Sequence, residues 1–251
     1  MNQPQLDAQY SALSDVGCQR NENQDRWGVD ADQWLFMVAD GVGGSRDGAL
    51  AAQTMVDVLP RYVAHHLPMD QRDQPDAAER LGRAVSELSD DLHAKAQDDA
   101  RYAGANSTLV TALMAGSRLL VAHLGDSRAY LRRDQQLQRL TRDHTLVQAL
   151  VDAHQVDPED TGQHRARSVV TKYMGMKPPA RADAGTLDLH PGDRILLCSD
   201  GLHGVVKEPG LAQILDANPD PGYACAALIA AAREAGGPDN ITALVINIAH
   251  G

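Results

Sequence analysis

The chain has 251 residues, 43% of them apolar, a formal charge of −11, and only one Phe, two Trp and six Tyr. That length can bury one large core or two small ones, filled by Leu, Val, Ile and Ala, while the charge argues against nucleic acid and anionic membranes as partners. No apolar run approaches the ~18 residues of a membrane span, and three widely spaced cysteines (18, 198, 225) with no CxxC and no signal peptide point to a reducing cytoplasm and away from a zinc knuckle.

In chain order, Met1–Gln5 reads as a frayed start and Gln9–Gly17 as a strand. Cys18–Asp25 is a polar loop. Trp27–Asp30 and Trp34–Ala39 form a hairpin, and LFMVA at 35–39 is apolar enough to be a buried strand. Ala49–His66 and Asp76–Gln97 have helical spacing, and Pro68 and Pro75 mark the break between them. Gly104–Ala115, Leu119–Leu124, Ala129–Arg132 and Gln136–Leu140 are successive strands separated by Gly-containing turns. Asp143–His154 begins like a capped helix, Gln155–Arg167 is polar and irregular, and Ser168–Met174 is a short helix or strand. Thr186–Leu189 and Arg194–Cys198 flank a Pro-Gly-Asp turn. Leu211–Ala217 and Tyr223–Ala235 are helices, and Ile241–Ile248 is the last strand. Strands, then two helices, then many strands and a mixed end give an α+β layered protein with antiparallel sheets, organised as one domain.

The chemistry is carried by acids at strand ends. Asp40 ends LFMVAD, Asp126 follows LLVAHLG, Asp200 ends ILLCSD, and Asp239 precedes ITALV. Each alone reads as a turn or a cap. Their recurrence over most of the chain suits a metal centre better than any local folding need. Asp25, Asp40, Asp200 and Asp239 gathered in one cleft would repel one another unless cations neutralised them. An all-oxygen set without histidine favours Mg2+ or Mn2+ over zinc. Two such ions ~3.5–4 Å apart can activate water and clamp a phosphoryl group. Arg20, five residues before Asp25, offers a planar fork for phosphate oxygens.

The segments SDVGCQRNENQD, VADGVGG, GANSTLV, VAHLGDSRAYL, LTRDHTLV, PGDRILLCSDGL and GGPDNIT resemble, in order, the successive motifs of the metal-dependent protein phosphatases of type 2C, from Ser14 to Thr242. The resemblance is closest to short bacterial members that are a bare catalytic domain. It implies a four-layer α-β-β-α sandwich, two antiparallel sheets flanked by helix pairs, with metals in a cleft at one end. By motif, Asp40 would bridge two Mn2+ or Mg2+ ions and the Gly41 carbonyl would ligate one. Asp200 and Asp239 would complete the first ion's shell, and Asp25 would hold water ligands of the second. Asp126, with Asp200, would hold a third, weaker ion. Arg20 would bind the substrate phosphate, and Asn240 would help position Asp239. Residues from about 145 to 168 would form a flap beside the cleft.

The activity implied is hydrolysis of phosphoserine and phosphothreonine in proteins by metal-activated water. The expected setting is a cytoplasmic monomer opposing a Ser/Thr kinase. The alternatives are a catalytically inactive binding module and a phosphatase dedicated to one small regulator. The sequence departs from the family at three points. Gln24 stands where Glu is frequent, Val42 where many animal members have His, and Ser45 where bacterial relatives place His, so the general acid is unassigned. His144 is expected to order the start of the flap helix. His65, His66, His93, His154, His164 and His203 are read as surface or packing residues. Cys198 is read as inert core, and Asp90, Asp91, Asp98 and Asp99 as a solvated helix face.

Overall fold

The apolar runs of the sequence are strands covered on both faces, which is why they run on without polar alternation. The computed structural model describes residues 6–42 and 46–250, with the side chains of 46, 47 and 163 left aside. The frayed start and the Gly43-Gly44-Ser45 position lie outside the described residues. The elements are β1 (Leu6–Asp15), β2 (Arg26–Asp30), β3 (Leu35–Ala39), β4 (Gly41–Val42), α1 (Arg46–His66), α2 (Ala77–Asp98), β5 (Asn106–Ser107), β6 (Leu109–Ala115), β7 (Arg118–Leu124), β8 (Arg128–Arg133), β9 (Gln136–Arg139), α3 (Leu146–Asp152), β10 (Asp183–Asp188), β11 (Arg194–Cys198), α4 (Asp200–His203), α5 (Glu208–Ala217), α6 (Pro221–Glu234) and β12 (Ile241–His250). Two five-stranded sheets, β10-β7-β6-β3-β2 and β1-β12-β11-β8-β9, pair antiparallel throughout.

The two-residue period of a strand sorts the side chains into layers. In β3, Leu35, Met37 and Ala39 pack with Met55 and Leu59 of α1 and Leu81 and Val85 of α2. Phe36 and Val38 face the other way, into a core shared with Leu197, Leu244 and Ile246. In the second sheet Leu196, Cys198, Ala243 and Val245 meet Leu211, Leu215 and Leu228 of α5 and α6. The result is the expected four-layer α-β-β-α sandwich. Phe36, the only phenylalanine, is fully buried and has Tyr10 edge-on at 5.2 Å. Among the described residues no helix is long and apolar enough to cross a membrane.

Several expectations change. The strand expected over Gly104–Ala115 is split at Thr108, whose N–H turns away to the carbonyl of Asp40 at 2.8 Å. Thus β5 pairs with β4 beside the site while β6 pairs with β3. Ser168–Met174 is neither helix nor strand. Single bridges, Thr145 to Val170 and Ser107 to Met174, hold it. The helix expected from Asp143 starts at Leu146, because the Thr145 side chain caps it by accepting from the Gln148 N–H. The short α4, which starts at Asp200, was not anticipated. Three acids of the supposed solvated helix face have partners: Asp90 accepts from the Ala180 N–H at 3.0 Å, Asp91 accepts from the Tyr62 hydroxyl, and Asp99 binds Arg101.

Candidate metal centre and active site

Five separate element ends deliver carboxylates to one end of the sandwich. Asp25 precedes β2, Asp40 follows β3, Asp126 lies between β7 and β8, Asp200 opens α4 after β11, and Asp239 precedes β12. Asp40 feels the charges of all four other acids. Burial, and then the charges of Asp25, Asp200, Asp126 and Asp239, push Asp40 well above the usual carboxylate range. Burial also raises Asp25 and Asp200 to about 6, against hydrogen bonds that favour their ionised forms. It raises Asp126 to about 8, with the charges of Asp200 and Asp143 adding to the effect.

The backbone around these acids is held by polar side chains that carry no periodic signal in the sequence. The Asp40 carbonyl accepts from the Thr108 N–H and from Ser107 Oγ at 2.9 Å, and the Asp40 N–H donates to Thr108 Oγ1 at 3.2 Å. Thr108 Oγ1 also meets Ser127 Oγ at 2.6 Å, which ties the Asp40 loop to the Asp126 turn. Ser199 Oγ donates to Asp25 Oδ2 at 2.6 Å. Gly41 and Gly201 are required by close approach. A Cβ on Gly41 would sit 2.4 Å from the Gly48 backbone, and one on Gly201 would sit 1.9 Å from the Asn240 carbonyl oxygen.

Asn240 does more than expected. Its N–H donates to Asp239 Oδ1 at 2.8 Å, while its side chain staples the Arg20 loop by accepting from the Gln24 N–H and donating to the carbonyls of Val16 and Glu22. Arg20, half exposed, donates to Asp239 Oδ2 at 2.7 Å, and that hydrogen bond holds its guanidinium above its ordinary pKa. Two histidines brace the Asp126 turn without pairing with the acids' side chains: His203 Nε2 donates to the Asp126 carbonyl at 2.9 Å, and His144 Nδ1 accepts from the Gly125 N–H at 3.1 Å. A pairing between residues 18 or more apart in sequence left no local signal. Cys198 is fully buried with its thiol pushed up to about 12, and no arginine-bearing phosphate loop surrounds it.

The residues fit hard divalent ions. Asp25 Oδ1 and Asp200 Oδ1 are sealed from solvent with no hydrogen-bond partner, a costly state for a carboxylate unless a cation meets it. The donors are all oxygen, and among the described contacts Arg20 hydrogen-bonds only Asp239 of the five acids.

A family model described as Protein phosphatase 2C matches residues 19–220. The serine/threonine protein phosphatase PstP of Mycobacterium tuberculosis is 34% identical over 239 residues, which cover 95% of this chain and 45% of PstP. The chain therefore spans about half the length of that relative. It spans 93% of the serine/threonine phosphatase stp of Listeria monocytogenes, at 30% identity over 93% of this chain. A crystal structure of the PstP catalytic domain in complex with two manganese ions superposes with a TM-score of 0.81 at 32% identity, covering 97% of this chain and 99% of that one. Matching motifs, a shared sandwich and acids gathered at one end of it place this chain in the protein phosphatase 2C family.

Proposed function

We propose that this chain is a single catalytic domain, with a flap at about 145–168, that hydrolyses phosphoserine and phosphothreonine in proteins with Mn2+ or Mg2+. The observation that carries the proposal is the pair of sealed carboxylate oxygens without a hydrogen-bond partner, Asp25 Oδ1 and Asp200 Oδ1, in a group of acids whose charges bear on Asp40. Asp40 and the Gly41 carbonyl, Asp200 and Asp239, and Asp25 would hold two ions, with Asp40 shared between them, and Asp126 with Asp200 would hold a weaker third. The ions, when bound, supply the positive charge that activates water and polarises the phosphoryl group.

The protein's own residues do the rest. Asp40 gives up its proton as charge arrives. Ser199 holds Asp25 Oδ2 and leaves Oδ1 free for a cation. Arg20 exchanges one carboxylate partner for the substrate phosphate, a bidentate acceptor that suits its fork. Asn240 fixes the loop on which Arg20 rides. Hydrolysis breaks the bond from phosphorus to the Ser or Thr oxygen, joins a water oxygen to phosphorus in line, and returns a proton to the departing alkoxide. Val42 has no proton to give, so that proton comes from elsewhere than this loop.

The relatives named as Ser/Thr phosphatases support phosphoproteins as substrates. A cognate Ser/Thr kinase, a monomeric state and a cytoplasmic setting complete the proposal. The test is hydrolysis of a phosphothreonine peptide with Mn2+. The expected result is turnover abolished by EDTA and by Asp40→Asn. Turnover indifferent to both would refute the proposal, and metal binding without turnover on any phosphosubstrate would favour the inactive module.

A further inference from the structure

The groups that hold Asp25 close a ring. Its N–H donates to Asn23 Oδ1 at 3.1 Å, and Asn23 Nδ2 donates to Ser14 Oγ at 2.8 Å. Ser14 Oγ meets Thr242 Oγ1 at 2.7 Å, between residues that face each other across β1 and β12. The Thr242 N–H donates to Ser199 Oγ at 3.0 Å, and Ser199 Oγ returns to Asp25 Oδ2 at 2.6 Å. The Arg20 loop, β1, β12 and the residue before α4 thus grip one acid by its backbone and by its carboxylate together.

The ring contains no cation. Asp25, Ser199 and Thr242 are buried, so no water screens the acid from the groups that hold it. Other buried acids of this chain are held differently. Asp193 receives Arg133 on both oxygens, at 2.7 and 2.6 Å, and Asp143 receives Arg128 in the same way. A guanidinium fixes an acid and neutralises it at once. Hydroxyls and an amide fix it and leave its charge for a cation from outside, and Asp25 Oδ1 is sealed with no hydrogen-bond partner. The end of the β11 ladder does not account for the ring. Beyond Cys198, Ser199 Oγ does take the Thr242 N–H in place of a backbone carbonyl, but that need involves neither Asn23 nor Ser14.

We propose that Ser14, Asn23, Ser199 and Thr242 are positioning residues for Asp25, which fix the direction of its free oxygen and through it the affinity of the second ion. The proposal rests on the reading of Asp25 as the acid that serves that ion. None of the four touches the reacting atoms. Among the described contacts none of their side chains hydrogen-bonds Asp40, Asp200 or Asp239, so loss of the ring falls on one ion and spares the other. Ser199 adjoins Asp200 in the chain, which makes Thr242 and Asn23 the cleaner positions to change.

The test titrates Mn2+ alone into metal-free wild type, Thr242→Val, Thr242→Ser and Asn23→Ala. Binding is followed by calorimetry and by electron paramagnetic resonance, in which a coupled pair of Mn2+ ions differs from an isolated ion. Thr242→Val and Asn23→Ala are expected to weaken the step that forms the coupled pair about ten- to hundredfold, the usual size for a group that orients a ligand. The first Mn2+ step is expected to stay within about twofold. Thr242→Ser keeps the hydroxyl and is expected to form the pair at the wild-type concentration. Asn23 lies on a half-buried loop, so Asn23→Ala carries the test if Thr242→Val does not fold. Variants that melt cooperatively without metal and form the pair as wild type does would overturn the positioning role. Equal weakening of both steps would do the same, as would a Thr242→Ser that behaves like Thr242→Val. Absence of a coupled pair in wild type would remove the two-ion reading itself, a result distinct from a wild-type pair that ignores the ring.

Discussion

Asp126 and Asp143 lie at the same end of the molecule, are both largely buried, and feel each other's charge, yet they are opposite in character. Asp143 receives a two-pronged contact from Arg128, at 2.8 Å to one oxygen and 2.5 Å to the other, while the third guanidinium nitrogen donates to the Tyr130 hydroxyl at 2.9 Å. Burial raises its pKa less than Arg128 lowers it, and it stays ionised below the usual range. Asp126 has no such partner among the described contacts and is raised to about 8. Burial by itself therefore does not mark a functional acid. What marks it is burial without an internal counter-charge. The Arg128–Asp143 pair is complete within the fold, while the Asp25, Asp40, Asp126 and Asp200 group has no such counter-charge among the described contacts, which suits the cation site proposed for it.

The largest expected effect separates the two groups by function. Asp40→Asn should cut turnover on the order of 10³-fold or more, since it weakens the bridge on which both ions depend. The same change should raise the thermal stability of the metal-free protein, because it removes a buried acid surrounded by acids. Equal destabilisation by Asp40→Asn and Asp143→Asn in thermal melts would erase the distinction. Arg128→Met is the converse case. It strands Asp143 without a partner and should cost about 3–5 kcal/mol of stability in denaturant unfolding. Phe36→Ala, remote from both groups, should cost a similar ~3–5 kcal/mol through the cavity it leaves between the sheets.

The fourth prediction uses pH. In the metal-free fold Asp25, Asp200 and Asp126 keep protons up to about 6, 6 and 8, whereas the unfolded chain releases them near the ordinary ~3.9. The folded state then binds more protons than the unfolded one, so stability falls as pH rises through this range. From pH 6 to 8 these three acids should together lower stability by roughly 3 kcal/mol, mostly through Asp126 and partly offset by the buried histidines, and saturating Mn2+ should abolish the acids' contribution. The buried histidines oppose this trend, most strongly below about pH 7. His144 and His203 are buried neutral, held down to about 4 and 3 by desolvation, and unfolding lets them take up protons. A metal-free melting profile that rises from pH 6 to 8 would contradict this account. The smallest expected effect is that of Gln24→Glu. One more negative charge beside the second ion should tighten Mn2+ binding about threefold, read as a lower half-saturating concentration.

The sequence exposed the parts of this molecule that repeat. Runs such as LFMVA and ILLC announced strands because both faces are buried, and four acids at their ends stood out because nothing local required them. It could not announce contacts that depend on two chain segments meeting. Asn240 looks like the tail of a Pro-Asp-Asn turn, and its stapling of Val16, Glu22 and Gln24 exists only once β12 lies beside β1. Lys172 and Asp183, whose side chains meet that of His144, lie in none of the motifs and share no period with it. The break at Thr108 was hidden because STLV has the β propensity of an unbroken strand, while the hydrogen bond to Asp40 that interrupts it comes from 68 residues away. Ser168–Met174 has the composition of a strand but no neighbour long enough to pair with it.

The sheet order has a consequence for how the molecule fails. Asp40 follows β3, which lies between β6 and β2, while Asp200 follows β11 and Asp239 precedes β12, both interior strands of the other sheet. Fraying at β9 or β10 leaves these three acids in register. Their spacing is lost only when both sheets come apart, so heat inactivation should coincide with the global melt, and the amides flanking these acids should be among the slowest in the chain to exchange with solvent.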